Sequence, residues 1–154
     1  VIVVSDTTAL TSLIKAGMEH ILPRLFGEVR IPQAVAGELL RFHSALPDWC
    51  LVYTAKEDPL LDSLRRAVDA GEAEAIALAV DVRADFVLLD DKKGRRQAEA
   101  LGLTCLALPA LMVAAKRQGI ITSVADAFAT LAAKGRYAVA ENTAAVLLRS
   151  VGEL

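Results

Sequence analysis

The chain has 154 residues, 55% of them hydrophobic and only 5% aromatic, with a formal net charge of −2. This excludes a disordered chain and suits one domain, residues 1–154, around an aliphatic core. A negative total argues against a sequence-independent DNA-packaging protein, which is usually basic. It argues less against a nuclease, whose site carboxylates inflate the negative count.

Taken in chain order, Val1–Ser5 is a β-branched apolar run and predicts a buried parallel-type strand. Thr8–Ala16 and Glu19–Leu25 read as short helices closed by Gly17 and Gly27, and Glu28–Ile31 as a strand. Pro32 is expected to open a helix over Gln33–His43. Cys50–Thr54 reads as a strand, on the edge of a sheet. Leu60, Leu61, Leu64, Ala67 and Val68 give an apolar helical face over Glu57–Val68. Asp69-Ala70-Gly71 breaks it, and an Ala-rich helix runs over Glu72–Val82. Phe86–Leu89 is a strand, Lys93–Leu101 a helix closed by Gly102, and Leu103–Leu108 the fifth strand. Pro109 opens a helix to Gln118, Thr122 or Ser123 caps another that ends at Gly135, and Val139–Val151 is a last amphipathic helix. Strands alternating with helices predict an α/β fold with a parallel sheet covered on both faces. Repeats, low-complexity tracts and linkers are absent.

No apolar run reaches the ~18 residues of a membrane span, and VIVV followed by Asp6 is too short for a signal-peptide core. Cys50 and Cys105 are expected to be buried free thiols in a reducing cytoplasm. With His20 and His43 they match no familiar zinc spacing.

The informative residues are acids. Asp6 and the pair Asp90-Asp91 directly follow strand-like runs, and ligands of parallel sheets bind beyond the carboxyl ends of the strands. Glu38 lies in the helical AVAGELL, and Glu72 and Glu74 open the Ala-rich helix. Taken singly, each has a plainer role: Asp6 and one of Asp90 or Asp91 as helix caps, Glu38 on a solvated helix face, Glu72 or Glu74 beside a positive helix end. Glu72 and Glu74 do not face the same way, so one of them is expected in a site. A cluster of like charges is costly without a cation among them, and Mg²⁺ or Mn²⁺ suits an all-carboxylate site. Thr7 and Thr8 are candidate hydroxyl supports for it. Lys92, Lys93, Arg95 and Arg96 form either a solvated helix face or a phosphate contact beside the metal, with Lys92, Arg95 and Arg96 the candidates for RNA.

With these residues named, the chain resembles PIN-domain proteins, the fold used by VapC-type toxin ribonucleases. The resemblance rests on SDTTALTSLIKAG, IPQAVAGEL, GEAEAIALAVDVRADFVLLDD and DDKKGRRQAEALGL, and spans about Val1 to Leu111. The match is closest to a PIN-like subgroup carrying the GEAEA and DDKKGRR motifs. The chain departs from common members in its Glu at the third acid and in LLDD where a Thr-containing turn is usual.

The resemblance implies an α/β/α sandwich with a five-stranded parallel sheet of order 3-2-1-4-5. It puts the first acid on Asp6, the second on Glu38, the third on Glu72 with Glu74 as alternate, and the fourth on Asp90 or Asp91. It implies a Mg²⁺- or Mn²⁺-dependent endoribonuclease, RNA as substrate, a homodimer with apolar stretches such as Leu111–Ala115 as surface, and, for a toxin, a small antitoxin protein that blocks the crevice. The alternative is a PIN-like interaction module with weak or absent turnover. An α/β phosphotransfer receiver fits poorly, since no strand-end Lys follows Asp91 in the required place.

Overall fold

The computed structural model describes residues 1–154. Its elements are β1 (Val3–Ser5), α1 (Thr7–Lys15), α2 (Ile21–Phe26), β2 (Val29–Pro32), α3 (Gln33–Phe42), β3 (Cys50–Tyr53), α4 (Pro59–Ala67), α5 (Ala70–Asp81), β4 (Phe86–Leu88), α6 (Lys92–Ala100), β5 (Cys105–Leu106), α7 (Leu108–Arg117), α8 (Val124–Lys134) and α9 (Glu141–Ser150). The five strands form one parallel sheet in the order β3-β2-β1-β4-β5. Helices cover both faces, so the architecture is the expected α/β/α sandwich, with β3 on an edge.

Period-2 alternation divides the core between the two faces. Val3 and Leu88 point into a cluster built with Leu10 and Leu13 of α1, Leu39 of α3 and Leu111 and Met112 of α7. Val4 and Val87, one residue on, point into a second cluster with Leu61 and Leu64 of α4 and the Ala-rich face of α5. β1 is therefore apolar on both sides, as a central parallel strand must be. Asp6 N–H donates to Leu88 O at 3.2 Å, which ties the end of β1 to the end of β4. No helix is long and apolar enough to cross a membrane.

Several boundaries differ from expectation for local physical reasons. Val1 is exposed, so β1 is shorter than Val1–Ser5. Pro32 ends β2 and flanks α3 with extended backbone, rather than standing inside the helix. The break between α4 and α5 is present, and Asp69 forms the start of the second of these helices. Asp69 caps α5, accepting from Glu72 N–H at 2.9 Å, so the helix starts at Ala70. Ser123, not Thr122, caps α8. The fifth strand shrinks to Cys105–Leu106, because α7 already begins at Leu108. Cys50 is buried as expected, whereas Cys105 is only half-buried, and both are free thiols. Leu111, Met112, Val113 and Ala115 are buried in the core. Of the Leu111–Ala115 stretch, only Ala114 is half-buried, and it lines an apolar groove together with Val113.

The last residues are held by one carboxylate. Glu153 accepts from Lys116 Nζ at 2.7 Å, Val124 N–H at 2.8 Å and Ala125 N–H at 2.9 Å. It thus satisfies open amides at the start of α8 and pairs with the end of α7. These donors hold its pKa at about 2, below the ordinary 4.5. A depressed carboxylate stabilises the fold fully above its unfolded pKa and loses that contribution as pH falls through the folded one. Glu153→Gln should lower the melting temperature at pH 7. The gap to wild type should begin to close below pH 4.5 and vanish toward pH 2, as followed by circular dichroism melts.

Candidate active site

Of the helices that begin at the carboxyl edge of the sheet, three are capped by an aspartate of this cluster. Asp6 caps α1, Asp69 caps α5 and Asp91 caps α6. Asp6 leaves β1 directly and is only 3% exposed. Its Oδ1 accepts from Ala9 N–H at 3.2 Å. Burial pushes its carboxyl up to about 7, with Asp90, Asp69 and Glu38 adding repulsion and the Ala9 amide opposing them.

Glu72 lies in the first turn of α5, half-buried. Its pKa rises to about 8, first through burial, then through Asp69, with further contributions from Asp91 and Asp6. Glu72 Oε2 is fully shielded and has no hydrogen-bond partner. Gly94 in α6 makes room for it, since a Cβ there would collide with Oε2. Gly71 does the same for Glu38. A Cβ at Gly71 would lie 2.9 Å from Glu38 Oε1 and 3.4 Å from Thr7 Oγ1, so α3 and α1 both deliver a polar group to the start of α5. Thr7 Oγ1 is also buried without a partner.

Asp90 and Asp91 divide their tasks. Asp91 accepts from Gly94 N–H at 3.0 Å as the cap of α6. Asp90 Oδ1 accepts from the Tyr137 hydroxyl at 2.8 Å, and its Oδ2 is buried and makes no close hydrogen bond. Burial raises the Asp90 pKa, while the Tyr137 hydroxyl, the Leu108 backbone amide and the Arg95 charge pull it down. Burial and Asp90 in turn raise the Tyr137 hydroxyl well above its ordinary range.

Asp6, Glu38, Glu72, Asp90 and Asp91 are therefore brought together from four parts of the chain. Glu74 is not. It turns toward α3 and α4, accepting from Ala34 N–H at 3.1 Å and facing Arg65 at 3.8 Å. Of the basic run, Lys92, Arg95 and Arg96 share one face of α6 with Glu99 around a basin of about 300 Å³, and Lys93 lies off it. Arg95 Nε is buried without a hydrogen-bond partner. Thr8 is exposed on α1, next to the half-buried Thr7.

Two members of this group were not anticipated. Asp69 stands three residues before Glu72, the spacing of a helix cap and its first-turn acid, so a capping argument would have found it. Tyr137 lies 47 residues from Asp90 and carries no local signal.

The donor set suits a hard divalent cation. It is all oxygen, two buried carboxylate oxygens make no close hydrogen bond, and burial, with neighbouring carboxylates adding to it, raises Asp6 and Glu72. As the side chains stand, no three His, Cys, Asp or Glu groups enclose a single point closely enough to hold an ion. Mg²⁺ is commonly bound through one or two carboxylates with water filling the remaining positions, which this spacing permits.

A parallel sheet of this order with acids gathered at its carboxyl edge defines an α/β protein with an acidic crevice. A family model described as a PIN domain matches residues 2–153, and the chain belongs to that family. No curated protein matches the chain.

The raised carboxylates make a prediction for the metal-free protein. A carboxyl with a raised pKa keeps its proton in the folded state where the unfolded chain has lost it. Stability therefore falls as pH rises from the ordinary 3.8 to about 7 for Asp6. Asp6→Asn retains a capping side chain. In EDTA at pH 8 it should melt above wild type by about 5 °C or more. The difference should disappear near pH 4.

Proposed function

We propose that the protein is a metal-dependent endoribonuclease that hydrolyses RNA phosphodiesters within one domain. The observation that carries this is the gathering of Asp6, Glu38, Glu72 and Asp90 at one edge, with two buried carboxylate oxygens, Glu72 Oε2 and Asp90 Oδ2, that make no close hydrogen bond within the fold. Leaving such atoms unpaired costs about 1–3 kcal/mol each, more when charged, so a site that keeps them is built for a ligand.

Asp6, Glu72 and Asp90 would hold Mg²⁺ or Mn²⁺, with Glu38 and Asp91 at the margin. A bound cation would neutralise charge on the phosphoryl and leaving oxygens and ease deprotonation of water. Glu38, half-exposed on α3, would orient the attacking water and take its proton at Oε1. Thr7 would steady the Glu38 carboxylate through its hydroxyl, and Thr8 would meet the substrate from the outer face of α1. Tyr137 fixes one oxygen of Asp90 and so leaves the other directed into the crevice. Lys92, Arg95 and Arg96 would hold the RNA backbone on the α6 side.

We further propose that the chain acts as the toxin of a toxin–antitoxin pair, as a homodimer. The acidic crevice would accept an Arg from a small antitoxin. The carboxylates gathered at a single edge support the Arg contact, while the toxin role and the homodimer rest on the resemblance to VapC-type proteins. The second reading, an interaction module with weak or no turnover, is favoured by the spacing of the acids, which enclose no ion as they stand.

Cleavage of a mixed RNA pool separates the two. Wild type should cut with Mn²⁺ or Mg²⁺ and not in EDTA, and Asp6→Asn should lose about 10²-fold or more. Wild type should also melt higher with Mn²⁺, and Asp6→Asn should not. A protein that gains stability from Mn²⁺ yet cuts no RNA would establish the interaction module instead.

Gly94→Ala tests the packing directly. The added methyl must displace the Glu72 carboxylate, while alanine gains up to about 1 kcal/mol of helix propensity. The variant should remain folded, with a melting temperature within a few degrees of wild type, and lose about tenfold or more in cleavage.

A further inference from the structure

A second polar basin, of about 260 Å³, adjoins the acids on the side away from α6, and no hydrophobic residue lines it. Its floor is one stripe of α1: Thr8, Thr11 and Lys15, three and four residues apart, point the same way. Glu38 closes one end beside the acids, and Gly135 and Arg136 close the other. Lys15 and Arg136 are exposed, and neither joins an ion pair.

Arg136 is held there by its neighbours. Gly135 packs so closely on α1 that a Cβ would lie 2.7 Å from Ser12 O. Tyr137 N–H donates to Leu131 O at 3.0 Å, and its hydroxyl donates to Asp90. Between these anchors Arg136 takes φ 53°, a conformation uncommon for a residue with a side chain. Three consecutive residues thus tie α1, the basin and Asp90 together.

Two unpaired cations and four hydroxyl-bearing side chains, with no aromatic to stack a base, select a backbone anion. Glu38 at the rim disfavours a small free anion. A polyanionic strand already seated at the acids overcomes that repulsion, because its other phosphates are bound elsewhere. Building on the nuclease reading above, we propose that this basin binds a phosphodiester of single-stranded RNA neighbouring the one to be cut. The strand would then run from Lys15 and Arg136, across the acids, to Lys92, Arg95 and Arg96.

The test is binding of a labelled single-stranded RNA oligonucleotide by the full chain carrying Asp6→Asn, titrated over a range of salt. Adding Lys15→Gln and Arg136→Gln should weaken binding about tenfold or more at low salt and flatten the log–log salt slope by about 0.7 for each phosphate no longer neutralised. In the cleaving wild-type background the same pair should raise KM about tenfold with kcat changed less than about threefold. Arg117→Gln is the control, since Arg117 lies at the opposite strand ends beside Val1 and Phe86. Unchanged affinity and slope in the double variant, or an equal loss in Arg117→Gln, overturns the basin. RNA binding that depends on Lys15 and Arg136 without cleavage by any metal upholds the basin and removes the nuclease reading.

Discussion

Carboxylates repel one another and resist burial, and this chain holds several together at one edge of its sheet. The backbone supplies partial compensation. Asp6, Asp69 and Asp91 each cap a helix, so three helix N-termini, the positive ends of their dipoles, point at the same region. Each cap also spends part of its own charge on an amide: Ala9 for Asp6, Glu72 for Asp69 and Gly94 for Asp91. Burial, with repulsion from the neighbouring carboxylates added to it, still lifts Asp6 and Glu72 to about 7 and about 8. Everything around the site follows from holding those groups close against that repulsion.

Close approach requires small residues at particular points. Gly71 admits Glu38 and Thr7 to the start of α5, Gly94 admits Glu72 to the first turn of α6, and Gly135 lets the segment after α8 lie on the backbone of α1. The buried alanines of α5, such as Ala73, Ala75 and Ala77, serve the same end on a larger scale. They bring the helix close to the sheet, and so bring Glu72 close to the end of β1. The stability of the core and the geometry of the site are therefore set by the same packing, with the sheet as the rigid base.

The molecule is also asymmetric across its sheet. The carboxyl ends of the strands carry the acids and two polar basins. The opposite ends carry an apolar groove of about 650 Å³, bounded by residues such as Phe26, Phe86 and Val113. Polar chemistry collects where helix N-termini and strand carboxyl ends meet, because unpaired amides and extended backbone both turn outward there. Tyr137 belongs to this edge although it comes after α8, and its bond to Asp90 links the C-terminal part of the chain to β4.

Much of this was legible in the residues alone, and the reasons are local. β-branched runs such as VIVV, the apolar spacing of α4, and caps followed by helix formers act over a few residues, so the alternation of strands and helices could be read directly. Asp6 and Asp90-Asp91 were legible as strand-end acids for the same reason. The strand order came through resemblance to a family and not from any local signal. Tertiary packing alone decided that Glu72 turns into the crevice while Glu74 turns to Ala34 and Arg65, since a side chain's direction on α5 depends on which face meets the sheet. It alone gave Asp90 to Tyr137 and Asp91 to the cap of α6, and buried Leu111, Met112, Val113 and Ala115. It alone brought Arg136 beside Thr8 and Thr11. Those partners are distant along the chain, and nothing short of the folded sheet measures the distance between them.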